Sequence, residues 1–88
     1  MKIRKKPSIF DSIEKERKRQ DDKWGLQNHD PDKWLMILGE EVGEANKAAL
    51  EAHFCSKPLN RYRRELIQIA AVTVAMIECL DRQFEGGE

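Results

Sequence analysis

Leu66 to Leu80 is apolar almost all the way round a helix: Leu66, Ile67, Ile69, Ala70, Ala71, Val72, Val74, Ala75, Met76, Ile77 and Leu80. A surface helix carries one apolar stripe, so a helix apolar on most sides is buried on most sides. The segment is long and rich in alanine, which favours helix over strand despite its β-branched residues. It is too short to span a membrane and carries Gln68, Thr73 and Glu78. In 88 residues only two further helices are available to cover it. The expectation is an all-α fold of three main helices forming an antiparallel helical bundle, completed by packing on another copy of the chain. Ala70, Ala71 and Ala75 would let that helix approach closely.

The flanking sequence divides readily. Residues 1–7 form a basic tail, Met1-Lys2-Ile3-Arg4-Lys5-Lys6-Pro7, read as a solvated arm or as a weak phosphate or partner contact. With no apolar run after those charges, no signal peptide is expected. A single helical domain is expected over 8–85, with a C-terminal tail at 86–88. Ser8 is a good N-cap with Asp11 three residues on. Ile9, Phe10 and Ile13 give helix one a short apolar face, which continues through Arg17, Gln20 and Trp24. That polar continuation is either an exposed helix end or the wall of a polar pocket. Gly25 suits the end of the helix. The linker that follows is dense in stacking and hydrogen-bonding groups: Lys23, Trp24, Gln27, Asn28 and His29. A loop tryptophan is often a core plug and a loop histidine often merely exposed, but together they read as one wall of a ligand site.

Asp30 as N-cap, Pro31 at the first helical position and Asp32 open helix two, which runs to about Ala52 or His53. Gly39 and Gly43 within it each cost about 1 kcal/mol relative to alanine, which implies close approach of another backbone or a ligand. Helix three starts near Leu59 or Asn60 and ends near Phe84. Sixteen basic and sixteen acidic residues balance, giving no general drive toward nucleic acid. Cys55 and Cys79 match no metal or disulfide framework and read as free thiols in a reducing compartment, hence the cytoplasm.

Chemistry concentrates in Gly39-Glu40-Glu41-Val42-Gly43-Glu44. At about 100° per residue, Trp34, Ile37, Leu38, Ala45, Ala48 and Ala52 fall within roughly 60° of Glu41. Glu41 therefore lies inside the apolar stripe, with Glu44 at its edge and Glu40 just beyond. A carboxylate so placed needs a partner. Glu65 and Gln68 are neighbours on one face of helix three, and an antiparallel hairpin would bring them level with Glu41 and Glu44. The resulting oxygen-rich site suits a hard divalent cation, Mg²⁺ above all. The alternative is neutralisation by Arg17, Arg61 or Arg64 in ion pairs.

The ordered set resembles the MazG-like all-α nucleoside triphosphate pyrophosphohydrolases of compact bacterial and phage type. It comprises Glu16-Arg17, Gln20, Lys23-Trp24-Gly25, Gln27 to Asp30, Trp34-Leu35, Glu40-Glu41-Val42-Gly43-Glu44 and Glu65 to Val72, and spans roughly residues 9 to 80. The resemblance implies a homodimer or homotetramer that cleaves a nucleoside triphosphate to the monophosphate and pyrophosphate with Mg²⁺ (or Mn²⁺). By position, Glu41, Glu44 and Glu65 would be metal ligands with Gln68 beside them, and Glu40 would support the attacking water along with Glu41. Trp24 or Trp34 would stack on the base, and Gln27, Asn28 or His29 would hydrogen-bond to base or sugar. Arg17, Lys23, Lys47 and Arg61 would meet phosphate, with Gln20 also on the substrate side. The family's second element ends in aspartate where this chain has Gln68, whose amide oxygen can ligate but brings no charge. A reading of another class is a catalytically silent helical oligomer that binds a nucleotide or a protein partner.

Overall fold

Three helices in sequence make up the structure, a computed structural model that describes residues 8–87. They are α1 (Ile9–Trp24), α2 (Pro31–Phe54) and α3 (Asn60–Gly87). The all-α class and the three helices are as the hydrophobic pattern requires. The basic tail at 1–7 lies outside the described residues.

The helix starts follow local chemistry. Ser8 and Asp11 form a reciprocal capping box, Asp11 N–H donating to Ser8 Oγ at 2.9 Å and Ser8 N–H to Asp11 Oδ2 at 3.3 Å. Asp30 takes the N-cap position before Pro31, although its side chain makes no capping hydrogen bond. Pro31 removes one of the N–H groups that would need capping. Gly25 closes α1 with φ 73° and ψ −173°, and its N–H donates to Asp21 O at 2.8 Å. That conformation is accessible essentially to glycine alone. Between α2 and α3 the chain turns at Ser56, which sits in the left-handed region at φ 54°. α3 continues to Gly87, beyond the end expected near Phe84 and into the expected 86–88 tail.

α3 is the central element. α1 and α2 each pack on it, while no α-carbon of α1 comes within 8 Å of one in α2. α2 and α3 run antiparallel: Trp34 meets Val72 and Cys79 in the core, and Arg61 meets Glu51 at the other end. The bundle is thus open within one chain. Its radius of gyration, 15.7 Å, exceeds the roughly 12 Å of a compact domain of this length.

The core is correspondingly thin. Trp34, Ala45, Ala48, Ala71, Val72 and Cys79 are buried, with Ile37, Leu38, Ala75 and Met76 packed against them. The face of α2 predicted from Glu41 is the buried one. α3 is less covered than its composition demands, since Leu66, Ile77, Leu80 and Phe84 are exposed. The expected apolar start of α1 does not bury: Ile9 and Phe10 are 63% and 81% exposed, because α1 meets α3 through its later turns. Gly39 and Gly43 also depart from expectation. Beyond the adjoining backbone of α2 itself, no described atom lies within 4 Å of a Cβ built on either, so no other described element approaches them closely. Among the described residues no helix is long and apolar enough to cross a membrane.

Candidate functional site

Because the backbones of α1 and α2 stand apart, a cleft of about 500 Å³ opens between them over α3. The polar half of α1 forms its first wall. Arg17 is the pin: Nη2 and Nε donate to Glu78 Oε1 on α3 at 2.6 and 3.2 Å, Nη2 to Asp21 Oδ1 at 3.1 Å, and Nη1 to Gln20 Oε1 at 3.2 Å. Glu16, one turn before Gln20, accepts from Gln20 Nε2 at 3.2 Å and from Arg19 at 2.7 and 2.9 Å. The Arg19 bond holds the Glu16 carboxyl below the usual range. The polar face of α1 is therefore a pocket wall.

The second wall is the linker, and α3 fixes its shape. Arg82 donates to Gln27 O and to Asn28 Oδ1, both at 2.9 Å from Nη2, with Nε 3.3 Å from the same Asn28 oxygen. The Cys79 thiol faces Asn28 Oδ1 at 3.6 Å and His29 O at 3.8 Å. Asn28 thereby holds the loop through its side-chain oxygen. His29 Nε2 lies 3.2 Å from Gln27 Oε1, and its ring meets Trp34 edge-on at 4.8 Å between centroids and 71° between planes. Trp34 is 5% exposed, and its Nε1 finds no hydrogen-bond partner among the described residues. It is a core residue touching the cleft rather than a free stacking platform. Trp24 is the exposed aromatic, 60% open, with Lys23 Nζ 4.8 Å above its ring.

At the floor, α2 and α3 bring their acids level as the hairpin predicts. One end of the Gln68 amide lies 2.8 Å from Glu65 Oε1 and 3.0 Å from Glu41 Oε2. Turned nitrogen first, the amide donates to both carboxylates; its orientation is a matter of which partner it serves. Turned oxygen first, three oxygens converge at these spacings. Ligands at right angles, each about 2.1 Å from Mg²⁺, stand about 3.0 Å apart, so these two spacings are compatible with such an ion, although as they stand they are the contacts of an amide nitrogen donating to both acids. Burial, then Glu65, Glu44, Glu16 and Glu40 in turn, raise the Glu41 carboxyl above the usual range. A divalent cation would relieve all of these causes except burial. Glu65 is itself buried. Among the described residues no three histidine, cysteine, aspartate or glutamate side chains gather as a metal-binding group.

Arg17, Gln20, Lys23, Trp24, Gln27, His29, Trp34, Glu40, Glu41 and Gln68 all line the one cleft. Four expected residues do not: Lys47, Arg61, Glu44 and Glu65, the last of them buried. Lys47 is exposed and about 120° round α2 from Glu41, on the wrong side of the helix. Arg61 turns away from the cleft to α2, where Nη2 donates to Glu44 Oε1 at 3.1 Å and Nη1 to Glu51 Oε1 at 3.0 Å. Glu44 is accordingly drawn to the edge, out of the converged set. Arg61 Nε also lies 3.8 Å from Glu65 Oε2, so the ion-pair alternative is met loosely at Glu65, while Glu41 has no arginine partner among the described residues. Glu16, Arg19, Asp21, Lys33 and Arg82 line the cleft unforeseen. Glu16 could have been reached by continuing the Gln20 face back by four residues. Arg82 carries no local signal, since only the register of α3 against the linker puts it there. Comparison with protein-family models, with curated proteins and with solved structures finds no match to this chain.

Proposed function

We propose that this chain is a Mg²⁺-dependent nucleoside triphosphate pyrophosphohydrolase of the MazG-like all-α type, releasing monophosphate and pyrophosphate. The observation that carries the reading is the convergence of Glu41, Glu65 and Gln68 at 2.8 and 3.0 Å beneath a cleft. At about 500 Å³, the cleft is within the range of small-molecule sites. Mg²⁺, when bound, would offset phosphate charge and activate water. Glu41, Glu65 and Gln68 would hold the ion. Glu40, exposed on the cleft side of α2, is free to orient the attacking water and take up its proton. Trp24 offers an open ring for a base, with Gln27 and His29 beside it. Lys23 and Lys33 offer charge for phosphates along the same wall.

The same reading makes the protein a homodimer or homotetramer. Its support is apolar surface left bare on α2 (Leu35, Met36, Leu50, Phe54) and on α3 (Leu66, Ile77, Leu80, Phe84). It also puts the protein in the cytoplasm, where nucleotides are plentiful and free thiols such as Cys55 and Cys79 persist. One observation favours the second reading, a silent helical oligomer binding a nucleotide or protein partner: Gln68 can satisfy both acids with its own N–H groups, and Arg61 already holds Glu44. Incubating the purified protein with Mg²⁺ and a broad nucleoside triphosphate panel separates the two. Pyrophosphate release that disappears with EDTA and in Glu41→Gln supports the enzyme. No release from any member supports the binding module.

A further inference from the structure

Arg61 faces three carboxylates. Its Nη1 lies 3.0 Å from Glu51 Oε1, its Nη2 3.1 Å from Glu44 Oε1 and its Nε 3.8 Å from Glu65 Oε2. One of these acids, Glu65, belongs to the candidate cation site; Glu44 stands at its edge, and Glu51, seven residues beyond Glu44 on α2, lies outside it. A guanidinium stays charged at any ordinary pH and presents its donors in a fixed plane. Arg61 and a divalent ion therefore compete for the negative charge of Glu65, whose Oε2 faces Arg61 and whose Oε1 faces the converged set, and for Glu44 if the ion draws it in. We propose that Arg61 is an internal counter-cation: it holds Glu44 and Glu65 in the ion-free protein and yields Glu44 when a divalent ion binds, so that it sets the ion's affinity. This rests on the metal-dependent reading of Glu41, Glu65 and Gln68.

The geometry suits exchange. Side-chain exposures of 40% for Arg61 and 53% for Glu44 make theirs a screened pair that opens readily. Glu51 retains the guanidinium once Glu44 is given up. Arg61 is thus a positioning residue, and its placement explains why Glu44 stands outside the set formed by Glu41, Glu65 and Gln68.

Mn²⁺ titration of the full chain, followed by the electron paramagnetic resonance of the free ion at fixed ionic strength, tests this. A unit charge about 5 Å from a divalent ion changes affinity by roughly tenfold even under strong screening. Arg61→Met should bind Mn²⁺ about tenfold more tightly than wild type. Glu51→Gln should bind it more weakly, because Arg61 is left to lean wholly on Glu44 and Glu65. Arg61→Lys, which keeps the charge, should fall between wild type and Arg61→Met. A merely structural role for Arg61 would weaken binding in every variant, and equal or weaker affinity in Arg61→Met overturns the proposal while leaving the metal reading standing. If neither wild type nor Arg61→Met binds Mn²⁺, the metal reading falls and the proposal with it. Should Arg61→Met fail to fold by circular dichroism, Glu51→Gln decides: tighter or unchanged binding overturns the proposal.

Discussion

Replacing Glu41 by glutamine should stabilise the ion-free protein. Glu41 and Glu65 both reach one end of the Gln68 amide, so the carboxylate oxygens concerned are less than 6 Å apart. Like charges at about 5 Å repel by about 1 kcal/mol in water and about 3 kcal/mol at a surface-like dielectric. Glu41 is only half-buried, and screening favours the lower figure, about 1 kcal/mol. Glutamine removes the charge yet still offers Gln68 an oxygen to bond. The pH dependence follows from the direction of the shift. Burial, then the neighbouring acids, hold the Glu41 pKa above its unfolded value, so the folded state binds that proton more tightly. Stability is therefore lost as pH rises from the ordinary carboxylate value through the raised folded value, and the full cost applies above it. Thermal unfolding in EDTA at fixed protein concentration is the assay. Glu41→Gln should melt roughly 5 °C above wild type at pH 7, with the gain shrinking to nothing near pH 4. Excess Mg²⁺ should stabilise wild type more than the variant. A lower melting temperature for Glu41→Gln at pH 7 without metal, or a difference independent of pH, would refute the reasoning.

Other substitutions test the scaffold. Gly25→Ala should cost about 1–3 kcal/mol by chemical denaturation, because its φ of 73° with ψ of −173° is a glycine conformation. Gly39→Ala and Gly43→Ala, with open space at each Cβ, should each gain about 0.5–1 kcal/mol in the same assay; a loss would mean that something outside this chain packs there. Asn28→Ala should destabilise by about 1–2 kcal/mol, since it removes the acceptor shared by Arg82 and Cys79. Faster hydrogen exchange at Gln27 and His29 would place that loss in the linker.

What was legible in the chain was what helix geometry encodes locally. The 100° rule put Trp34, Ala45 and Ala48 on the face of Glu41, and that face is the buried one. One step further, the hairpin register brought Gln68 against Glu41, because the α2–α3 turn is too short to allow another pairing. Arg17 and Gln20 on a continued α1 face proved to be a wall. Residue type alone served less well. Charge alone points to Arg61 and Lys47 as phosphate ligands, but Arg61 meets Glu44 and Glu51 on α2 and Glu65 on its own helix, and Lys47 points elsewhere. Residue type makes Trp34 and Trp24 equal candidates for stacking, while their positions, one on the apolar stripe of α2 and one at the end of α1, separate the core residue from the open ring. Arg82 and Cys79 hold the linker from more than fifty positions away, a pairing that no local pattern announces.

The central claim is that these acids serve hydrolysis of a nucleoside triphosphate between its α- and β-phosphates. Phosphorus NMR of the reaction products, with Mg²⁺ and the most responsive triphosphate of the panel, tests it most directly. The account predicts monophosphate and pyrophosphate in equal amounts, and no reaction in Glu41→Gln. Diphosphate with inorganic phosphate, or unchanged triphosphate across the panel, would contradict it.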